Sequence, residues 1–303
     1  MNRVSSMISD MMKEFPALFE ESMQEFIPTA GMRTPVIDEA MRYSLFAGGK
    51  RLRPMLMAAA YEAFSGEPWE QSQLLRAFMT ALEMIHTYSL IHDDLPAMDN
   101  DDLRRGKKTN HIVFGEDMAI LAGDGLLNAA FEVMSEAANR AQERQSDAVY
   151  AMTYLSRASG VRGMIGGQAI DVSGQYRDEK SVLAMYQKKT GALLAAAVVT
   201  GAVLGGATEA DQHLLGIAAV KAGMAFQIQD DILDVTGDEE QLGKPIGSDE
   251  KRDLVTYVTL TGLERSRQDA DRFLQESLDI LDRVEGDTAG LKAIIASLAG
   301  RSF

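Results

Sequence analysis

The chain contains no cysteine, and its 303 residues include only seven prolines, four histidines and one tryptophan. Without cysteine there can be no disulfide framework and no thiolate chemistry, so a reducing cytoplasm is expected as its location. Residues 1–10 lack the apolar core of a signal peptide. Basic residues are also few: 30 against 45 acidic ones give a formal net charge of −15, which argues against nucleic acid or an anionic membrane as partner.

The chain also lacks a long apolar run, a Gly/Ser-rich linker and any low-complexity segment. The longest apolar stretch, residues 191–206, is shorter than a bilayer requires, so we predict a tightly packed buried helix and no membrane span. An apolar content of 46% is ample for a large core, and no segment demands a division. We therefore predict one domain over residues 1–303.

Alternating Val, Ile, Thr and Tyr runs bounded by tight turns are absent, so no sheet is predicted. Apolar residues instead recur at intervals of three and four, which is typical of helices. The predicted helices cover residues 8–26, 55–64, 74–90, 118–134, 149–159, 182–204, 214–235 and 273–284. Together they indicate an all-α fold, a single large helical bundle around a central cavity where a ligand site can form.

Two aspartate clusters stand inside apolar helical stretches: residues 93–99 (DDLPAMD) and residues 230–234 (DDILD). Carboxylates on apolar helix faces need a partner, because burying an unpaired charge is costly. A ligand set of oxygen atoms alone favours Mg²⁺, which uses a few carboxylates together with substrate phosphates. One isolated cluster would more often be a solvated helix end, but two in similar contexts predict Mg²⁺ shared with a phosphorylated substrate.

Helical geometry distinguishes the aspartates within each cluster. At about 100° per residue, Asp230 and Asp234 lie roughly 40° apart on one face with Gln227, whereas Asp231 points elsewhere. Asp93 and Asp99 would lie roughly 240° apart on an ideal helix, but a proline between them breaks the turn. The resulting local bulge can bring the carboxylates of Asp93 and Asp99 together.

Four basic segments are candidates for binding a diphosphate. Residues 48–54 (GGKRLRP) place flexible backbone beside three cations just before a helix, and residues 104–109 (RRGKKT) follow the first aspartates directly. Residues 188–191 (KKTG) open the Ala-rich helix, and Lys244 follows the second aspartates. A basic run is more often part of a solvated surface, but its position beside a predicted Mg²⁺ site favours a role in binding.

These segments together resemble the trans-isoprenyl diphosphate synthases, and most closely the bacterial farnesyl diphosphate synthases. The resemblance rests on GGKRLRP at 48–54, SLIHDDLPAMD at 89–99, DDLRRG at 101–106, GEDMAILAGD at 115–124, GGQ at 166–168 with Asp171, KTG at 189–191 and FQIQDDILD at 226–234. It runs from about residue 48 to residue 253. Lys108 departs from the family's commonest pattern, which has proline there.

The resemblance implies the isoprenoid-synthase helical fold, three Mg²⁺ ions per active site and the residues that hold the substrates. Asp93, Asp99 and Asp230 would hold the metal ions against an allylic diphosphate. The residues implied to contact that diphosphate or assist its ionisation are Arg104, Lys189, Thr190, Gln227 and Lys244, of which Arg104, Lys189 and Lys244 are the expected catalytic residues. The residues implied to bind isopentenyl diphosphate are Lys50, Arg53, His86 and Arg105.

Some implications depend on the resemblance alone. Judged by itself, His86 would more often be a satisfied core histidine than part of a site. The three remaining histidines, His92, His111 and His213, are interpreted as structural. A homodimer is expected only because the family forms one.

The activity implied is prenyl transfer. Metal ions and cations stabilise the departing diphosphate, an allylic cation forms, and the double bond of isopentenyl diphosphate attacks it in a site closed to water. The residues expected to limit chain length are Tyr88 and Ser89, because the Tyr88 phenol lies roughly 7–8 Å from Asp93 along the helix axis. In the family an aromatic residue there accompanies a fifteen-carbon product. We therefore predict (2E,6E)-farnesyl diphosphate.

Three alternatives stay open. Geranylgeranyl diphosphate, the twenty-carbon product, would follow if the cavity were deeper. A class I terpene cyclase also ionises an allylic diphosphate, but its second metal motif typically has an Asn/Ser/Glu pattern and it needs no second diphosphate site. A non-catalytic synthase subunit would be expected to have lost one aspartate motif, and both are intact here.

Overall fold

The structure is a computed structural model that describes residues 3–29, 31, 34–236 and 255–299. Its contacts divide the chain into two compact units. The first unit comprises Met1–Ala58 and Pro68–Met152, and the second comprises Ala59–Glu67 and Thr153–Phe303. The prediction of one domain over residues 1–303 stays a prediction.

The first unit is built around a long buried helix. Its helices are α1 (Arg3–Met23), α2 (Pro35–Leu45), the start of α3 (Leu52–Ser65), α4 (Gln73–Asp93), α5 (Asn110–Phe114), α6 (Glu116–Arg140) and the start of α7 (Gln145–Ser159). The Ser72 side chain caps α4 by accepting the Leu75 N–H at 3.2 Å. α4 packs mainly against α6, where small residues such as Ala122 and Gly123 allow close approach.

A short hairpin follows the first aspartates. It consists of β1 (Leu103–Arg104) and β2 (Lys107–Lys108), which pair antiparallel, Leu103 with Lys108 and Arg104 with Lys107. Gly106, at φ +75°, lies in its turn, where a side chain would be strained. The hairpin therefore projects a set of basic side chains from the end of α4.

The second unit contains the Ala-rich helix and the second aspartates. Its helices are the remainder of α3 and α7, α8 (Met164–Ser173), α9 (Glu179–Tyr186), a π-helical turn (Gln187–Gly191), α10 (Ala192–Gly205), α11 (Glu209–Thr236), α12 (Tyr257–Thr261), α13 (Leu263–Leu281) and α14 (Ala289–Ala299). α11 packs chiefly against α13 and α10. Its buried face places Ile228 and Ile232 in a core cluster with Tyr257 and Phe273.

The all-α prediction is confirmed, with several differences in detail. The periodicity missed α2, α5, α8, α12 and α14 and the polar first half of α13. The predicted helix over 182–204 is interrupted by the π-helical turn. The prediction of no sheet missed the two-residue ladder.

Residues 193–204 of α10 are buried throughout, as predicted. Two helical segments, Glu116–Arg140 and Glu179–Gly205, are long and apolar enough by composition to cross a bilayer. The second is 78% buried over its most apolar window, as core helices are, and one or two such helices are weak evidence for a membrane protein.

Candidate active site

The first aspartate cluster lies at the C-terminal end of α4, where the chain turns back on itself. Pro96 has no N–H to continue the helix. The Asp99 N–H donates to the Asp93 carbonyl at 2.8 Å, and the Asn100 N–H donates to the Leu95 carbonyl at 3.1 Å. The main chains of Asp93 and Asp99 are thus hydrogen-bonded to each other, as the predicted bulge requires.

The second aspartate of this cluster is used within the protein. Asp94 is 3% exposed, and the Arg104 guanidinium contacts one of its carboxylate oxygens at 2.6 Å. Burial raises the pKa of the Asp94 carboxyl, and the ion pair with Arg104 opposes that rise. Arg104 also lies 3.7 Å from Asp101. Its predicted contact with an allylic diphosphate stays a prediction.

In the second cluster, on α11, the second aspartate is likewise hydrogen-bonded within the protein. Asp231 is 4% exposed, and one of its oxygens accepts hydrogen bonds from the Tyr186 hydroxyl at 2.5 Å and from the Tyr257 N–H at 3.0 Å. Asp230 is more exposed and Asp234 is buried. Asp231 is therefore hydrogen-bonded within the protein and connects α11 to the end of α9 and the start of α12. The common face predicted for Asp230 and Asp234 stays a prediction.

The remaining aspartates suit a hard divalent cation. Within residues 3–29, 31, 34–236 and 255–299, no group of three or more His, Asp or Glu side chains is positioned to hold a metal ion by itself. Asp93 and Asp99 in the first unit, and Asp230 in the second, each supply only carboxylate oxygens. Donors of this kind fit Mg²⁺, which is usually bound by one or two carboxylates with waters and substrate phosphates.

A cluster of cations lies in the first unit where α3, α4 and the hairpin meet. An Arg53 guanidinium nitrogen lies 3.2 Å from Nε2 of His86, and Arg105 donates to the Gly48 carbonyl. Gly49 has φ +127°, where a side chain would be strained, and a Cβ there would also lie 2.7 Å from the Arg105 guanidinium. Lys50, the next residue in the chain after Gly49, is exposed. Four residues predicted to bind isopentenyl diphosphate, Lys50, Arg53, His86 and Arg105, thus belong to one region of the first unit.

The electrostatics of this cluster favour an anion. Burial lowers the pKa of Arg53 to about 10, with Glu83 opposing and Arg105 adding to the decrease. Burial and the neighbouring arginines hold the pKa of His86 well below 6.5, so its imidazole is neutral and accepts from Arg53. The Arg53 Nε atom is buried and has no hydrogen-bond partner among the described residues. An unsatisfied buried donor of this kind suits an anionic ligand.

Arg51 does not belong to this anion site, although its sequence position suggested it. Its side chain is buried, pairs with Glu20 and Glu83 at 2.6 Å each, and donates to the Leu45 carbonyl at 2.7 Å. Arg51 therefore ties α1 and α4 together. The signal that could have indicated this is Glu83, a lone carboxylate within the apolar run of α4.

In the second unit, the π-helical turn carries Lys189 and Thr190. Lys189 contacts Asp171 at 2.5 Å, and Asp171 also accepts from the Tyr176 hydroxyl at 2.9 Å. The Thr190 hydroxyl donates to the Gln227 side chain at 2.9 Å. π-helical turns inside helices often occur at functional sites. Sequence reasoning assigned no role to Asp171, although it belongs to one of the quoted motifs.

Gly167 explains why the π-helical turn lies so close to α8. A Cβ at Gly167 would be 2.2 Å from the Lys189 backbone nitrogen. Any side chain there would push the turn away, so the glycine pair of α8 helps to place Lys189. Lys244, the remaining predicted catalytic residue, lies outside the described residues.

The predicted chain-length residues lie one turn before Asp93. Tyr88 is 5% exposed, and its ring meets the His92 ring edge-on with centroids 5.8 Å apart. Burial, and secondarily the charge of Asp93, raise the pKa of Tyr88 to about 12, so the phenol is neutral. The Ser89 hydroxyl donates to the His86 carbonyl at 2.8 Å. Tyr88 is thus the bulky residue of the pair.

Comparison with known proteins places these residues in context. Residues 34–296 match the polyprenyl synthetase family. The chain is 42% identical over 267 residues to farnesyl diphosphate synthase of Geobacillus stearothermophilus, covering 88% of each chain. It is 46% identical over 274 residues to putative geranylgeranyl pyrophosphate synthase 8 of Arabidopsis thaliana, covering 88% of this chain and 74% of that protein.

A solved structure is also similar over almost the whole chain. It is geranyltransferase from Helicobacter pylori complexed with magnesium and isoprenyl diphosphate, with a TM-score of 0.83, 31% sequence identity and coverage of 99% of this chain and 97% of that one.

Proposed function

The chain belongs to the polyprenyl synthetase family, and from that premise we propose that it is a Mg²⁺-dependent trans-prenyltransferase making farnesyl diphosphate. It would condense isopentenyl diphosphate with dimethylallyl or geranyl diphosphate and release diphosphate. The observation that carries the proposal is the anion site around Arg53 and His86, which a prenyltransferase needs in addition to its two aspartate motifs. A terpene cyclase would have no use for this second diphosphate site.

Isopentenyl diphosphate would be held by the cation cluster of the first unit. Arg53 offers its buried Nε, Arg105 offers a guanidinium fork, and Lys50 adds an exposed ammonium group. The neutral His86 orients the Arg53 guanidinium by accepting one of its hydrogen bonds. A diphosphate bound there would satisfy the buried donor.

The allylic diphosphate would be held through metal ions by Asp93, Asp99 and Asp230. When bound, Mg²⁺ supplies positive charge that stabilises the departing diphosphate, and the resemblance implies three ions. In this assignment Lys189 would exchange Asp171 for a diphosphate oxygen, because both offer the same kind of anionic acceptor. Lys244 belongs to the proposal as well, but it lies outside the described residues.

The protein's own residues would then prepare the reaction. Thr190 and Gln227, which are hydrogen-bonded to each other, would orient a substrate oxygen. Positively charged groups placed where negative charge develops lower the barrier to breaking the carbon–oxygen bond. The phenol of Tyr88 is neutral, so it presents neither a negative charge nor the more nucleophilic phenolate to the allylic cation.

The fifteen-carbon product is the finer part of the proposal. It is supported by the size and burial of Tyr88 one turn before Asp93, because a rigid aromatic ring there would close the product cavity. Geranylgeranyl diphosphate is the second candidate, because relatives named for either product match at similar identity.

A homodimer is also proposed. α5 and α6 expose four aliphatic side chains, Ile112, Val113, Ile120 and Leu121, with exposed fractions of 42–54%. A group of exposed aliphatic residues on adjoining helices is typical of an interaction surface. The resemblance implies a homodimer but not its interface, and we propose that the second copy of the chain covers this surface.

The experiment that tests the activity is incubation of the purified protein with Mg²⁺, isopentenyl diphosphate and geranyl diphosphate, followed by identification of the dephosphorylated alcohols. Farnesol as the main product is expected, and geranylgeraniol would refute the fifteen-carbon assignment while keeping prenyl transfer. Tyr88→Ala should then lengthen the product. Asp93→Ala should abolish turnover while leaving the circular dichroism spectrum unchanged, and full activity of that variant would refute the metal assignment.

A further inference from the structure

We propose that His92 is a positioning residue for product length, because its imidazole, on α4 and in contact with α6, holds the Tyr88 ring in place. This inference rests on the proposed function and adds a specificity role for a residue that the sequence identified only as structural. Three contacts within the first unit support it: the Tyr88 ring with His92, His92 with Ile120, and His92 with Gly123.

The position of Tyr88 depends on packing alone. Its hydroxyl is buried and has no hydrogen-bond partner among the residues that the structure describes. No polar contact therefore fixes where the ring lies. The aromatic contact of Tyr88 is with His92, one turn later on α4, at a centroid distance of 5.8 Å and an interplanar angle of 78°. Edge-to-face geometry of this kind is the favoured arrangement of two rings.

His92, in contrast, is anchored by the neighbouring helix. Its Nε2 atom lies 3.1 Å from the Ile120 carbonyl, and since a carbonyl can only accept, Nε2 carries the proton and donates. The ring lies directly on the backbone at Gly123, where a Cβ would come within 2.1 Å of Nε2. The Asp124 carboxylate lies 4.0 Å from the same atom. The imidazole thus occupies a space that only glycine at position 123 leaves open.

Through these contacts the α6 backbone fixes the His92 ring, and the His92 ring in turn fixes Tyr88, the residue proposed to close the cavity. Removing the imidazole frees Tyr88 to turn away, and the cavity then admits a longer chain before elongation stops. The contribution of an aromatic pair corresponds to a change in the ratio of C20 to C15 product of about two- to tenfold. The shift is toward the longer product.

The test measures the C20 to C15 ratio and, separately, total incorporation of isopentenyl diphosphate with geranyl diphosphate as starter. His92→Ala and His92→Gln are both expected to raise the ratio, because glutamine can still donate to Ile120 but offers no ring to Tyr88. Using both variants keeps the test decisive if one of them folds poorly. Gly123→Ala is expected to act in the same direction by displacing the imidazole.

Gly125→Ala is the matched control on the same helix. A Cβ there meets the sulfur of Met41, in a flexible side chain, at 2.9 Å, so the substitution adds a methyl group to α6 without displacing His92. Its product ratio should equal that of the wild-type protein.

A double-mutant comparison distinguishes action through Tyr88 from any other effect. In the Tyr88→Ala background, His92→Ala should leave the ratio unchanged, because the ring that it positions is gone. An equal shift in both backgrounds, or a wild-type ratio in both His92 variants while Tyr88→Ala lengthens the product, overturns the inference. Absence of elongation by the wild-type protein would instead refute the proposed function, so the two failures are distinguishable.

Discussion

The adjacent aspartates of the second cluster should separate stability from catalysis. In Asp231→Ala, the Tyr186 hydroxyl and the Tyr257 N–H lose their common acceptor in a site only 4% exposed. Each hydrogen bond to a charged group contributes about 1.5–3 kcal/mol, so the loss of both should lower the free energy of unfolding by about 3–6 kcal/mol. Asp230→Ala changes a more exposed carboxylate and should alter it by about 1 kcal/mol or less.

The assay is thermal unfolding followed by circular dichroism, together with turnover at saturating Mg²⁺ and substrates. At about 2–4 °C per kcal/mol, Asp231→Ala should lower the midpoint by roughly 10 °C. Asp230→Ala should unfold near the wild-type temperature and yet lack activity. Tyr186→Phe is the graded control, since it removes one of the two hydrogen bonds to Asp231 and should lower the free energy of unfolding by about 1.5–3 kcal/mol.

The result that would refute this reasoning is an Asp231→Ala protein as stable as wild type, or an Asp230→Ala protein that turns over normally. The first would mean that the buried donors find other acceptors at no cost. The second would mean that Asp230 does not hold an essential metal ion.

Three further predictions concern the first unit. Arg51→Met should lower the free energy of unfolding by about 3–5 kcal/mol, because Glu83 is left buried without its cation. Adding Glu83→Leu should restore much of the lost stability, as measured by thermal unfolding. Arg53→Ala should raise KM for isopentenyl diphosphate about tenfold or more while leaving KM for geranyl diphosphate nearly unchanged, and equal effects on both would contradict the assignment. The pKa of His86 is lowered in the folded protein, so below about pH 6.5 the unfolded chain binds a proton on this histidine that the folded protein does not. His86 should therefore lower the free energy of unfolding progressively as the pH falls below about 6.5. As the pH is lowered from 7 to 5, the urea midpoint of unfolding should fall less steeply in His86→Gln than in wild type. Parallel plots of the midpoint against pH would show that His86 is not held neutral in the folded protein.

Sequence patterns predicted the helices that have a broad apolar face and missed those without one. Residues 74–90 and 118–134 were placed close to α4 and α6, because both helices bury apolar residues at regular spacing. α8 is short and begins Met-Ile-Gly-Gly, so its periodicity is weak. The first half of α13 is mostly charged, and its helix is stabilised by contacts with α11 that local sequence does not reveal.

The candidate site was predicted residue by residue because its motifs are local and specific. Sequence could not assign the internal partners of the residues beside them. Arg51 and Arg53 are two positions apart, yet one is buried in ion pairs with Glu20 and Glu83 and the other keeps an unsatisfied donor. The choice between the two roles depends on residues more than 30 positions away along the chain.

The sequence by itself determined the helical class, the two aspartate motifs and the chemistry that oxygen ligands and basic residues can support. Spacing along a helix and the types of side chain are properties of neighbouring residues, so they can be read without a fold. The tertiary structure decided which member of each aspartate pair is buried with a partner. It also decided that Gly167 leaves room for the turn that carries Lys189, and that Gly123 leaves room for the His92 ring that contacts Tyr88. These depend on close approach of helices that are distant in sequence, and only the folded packing brings them together.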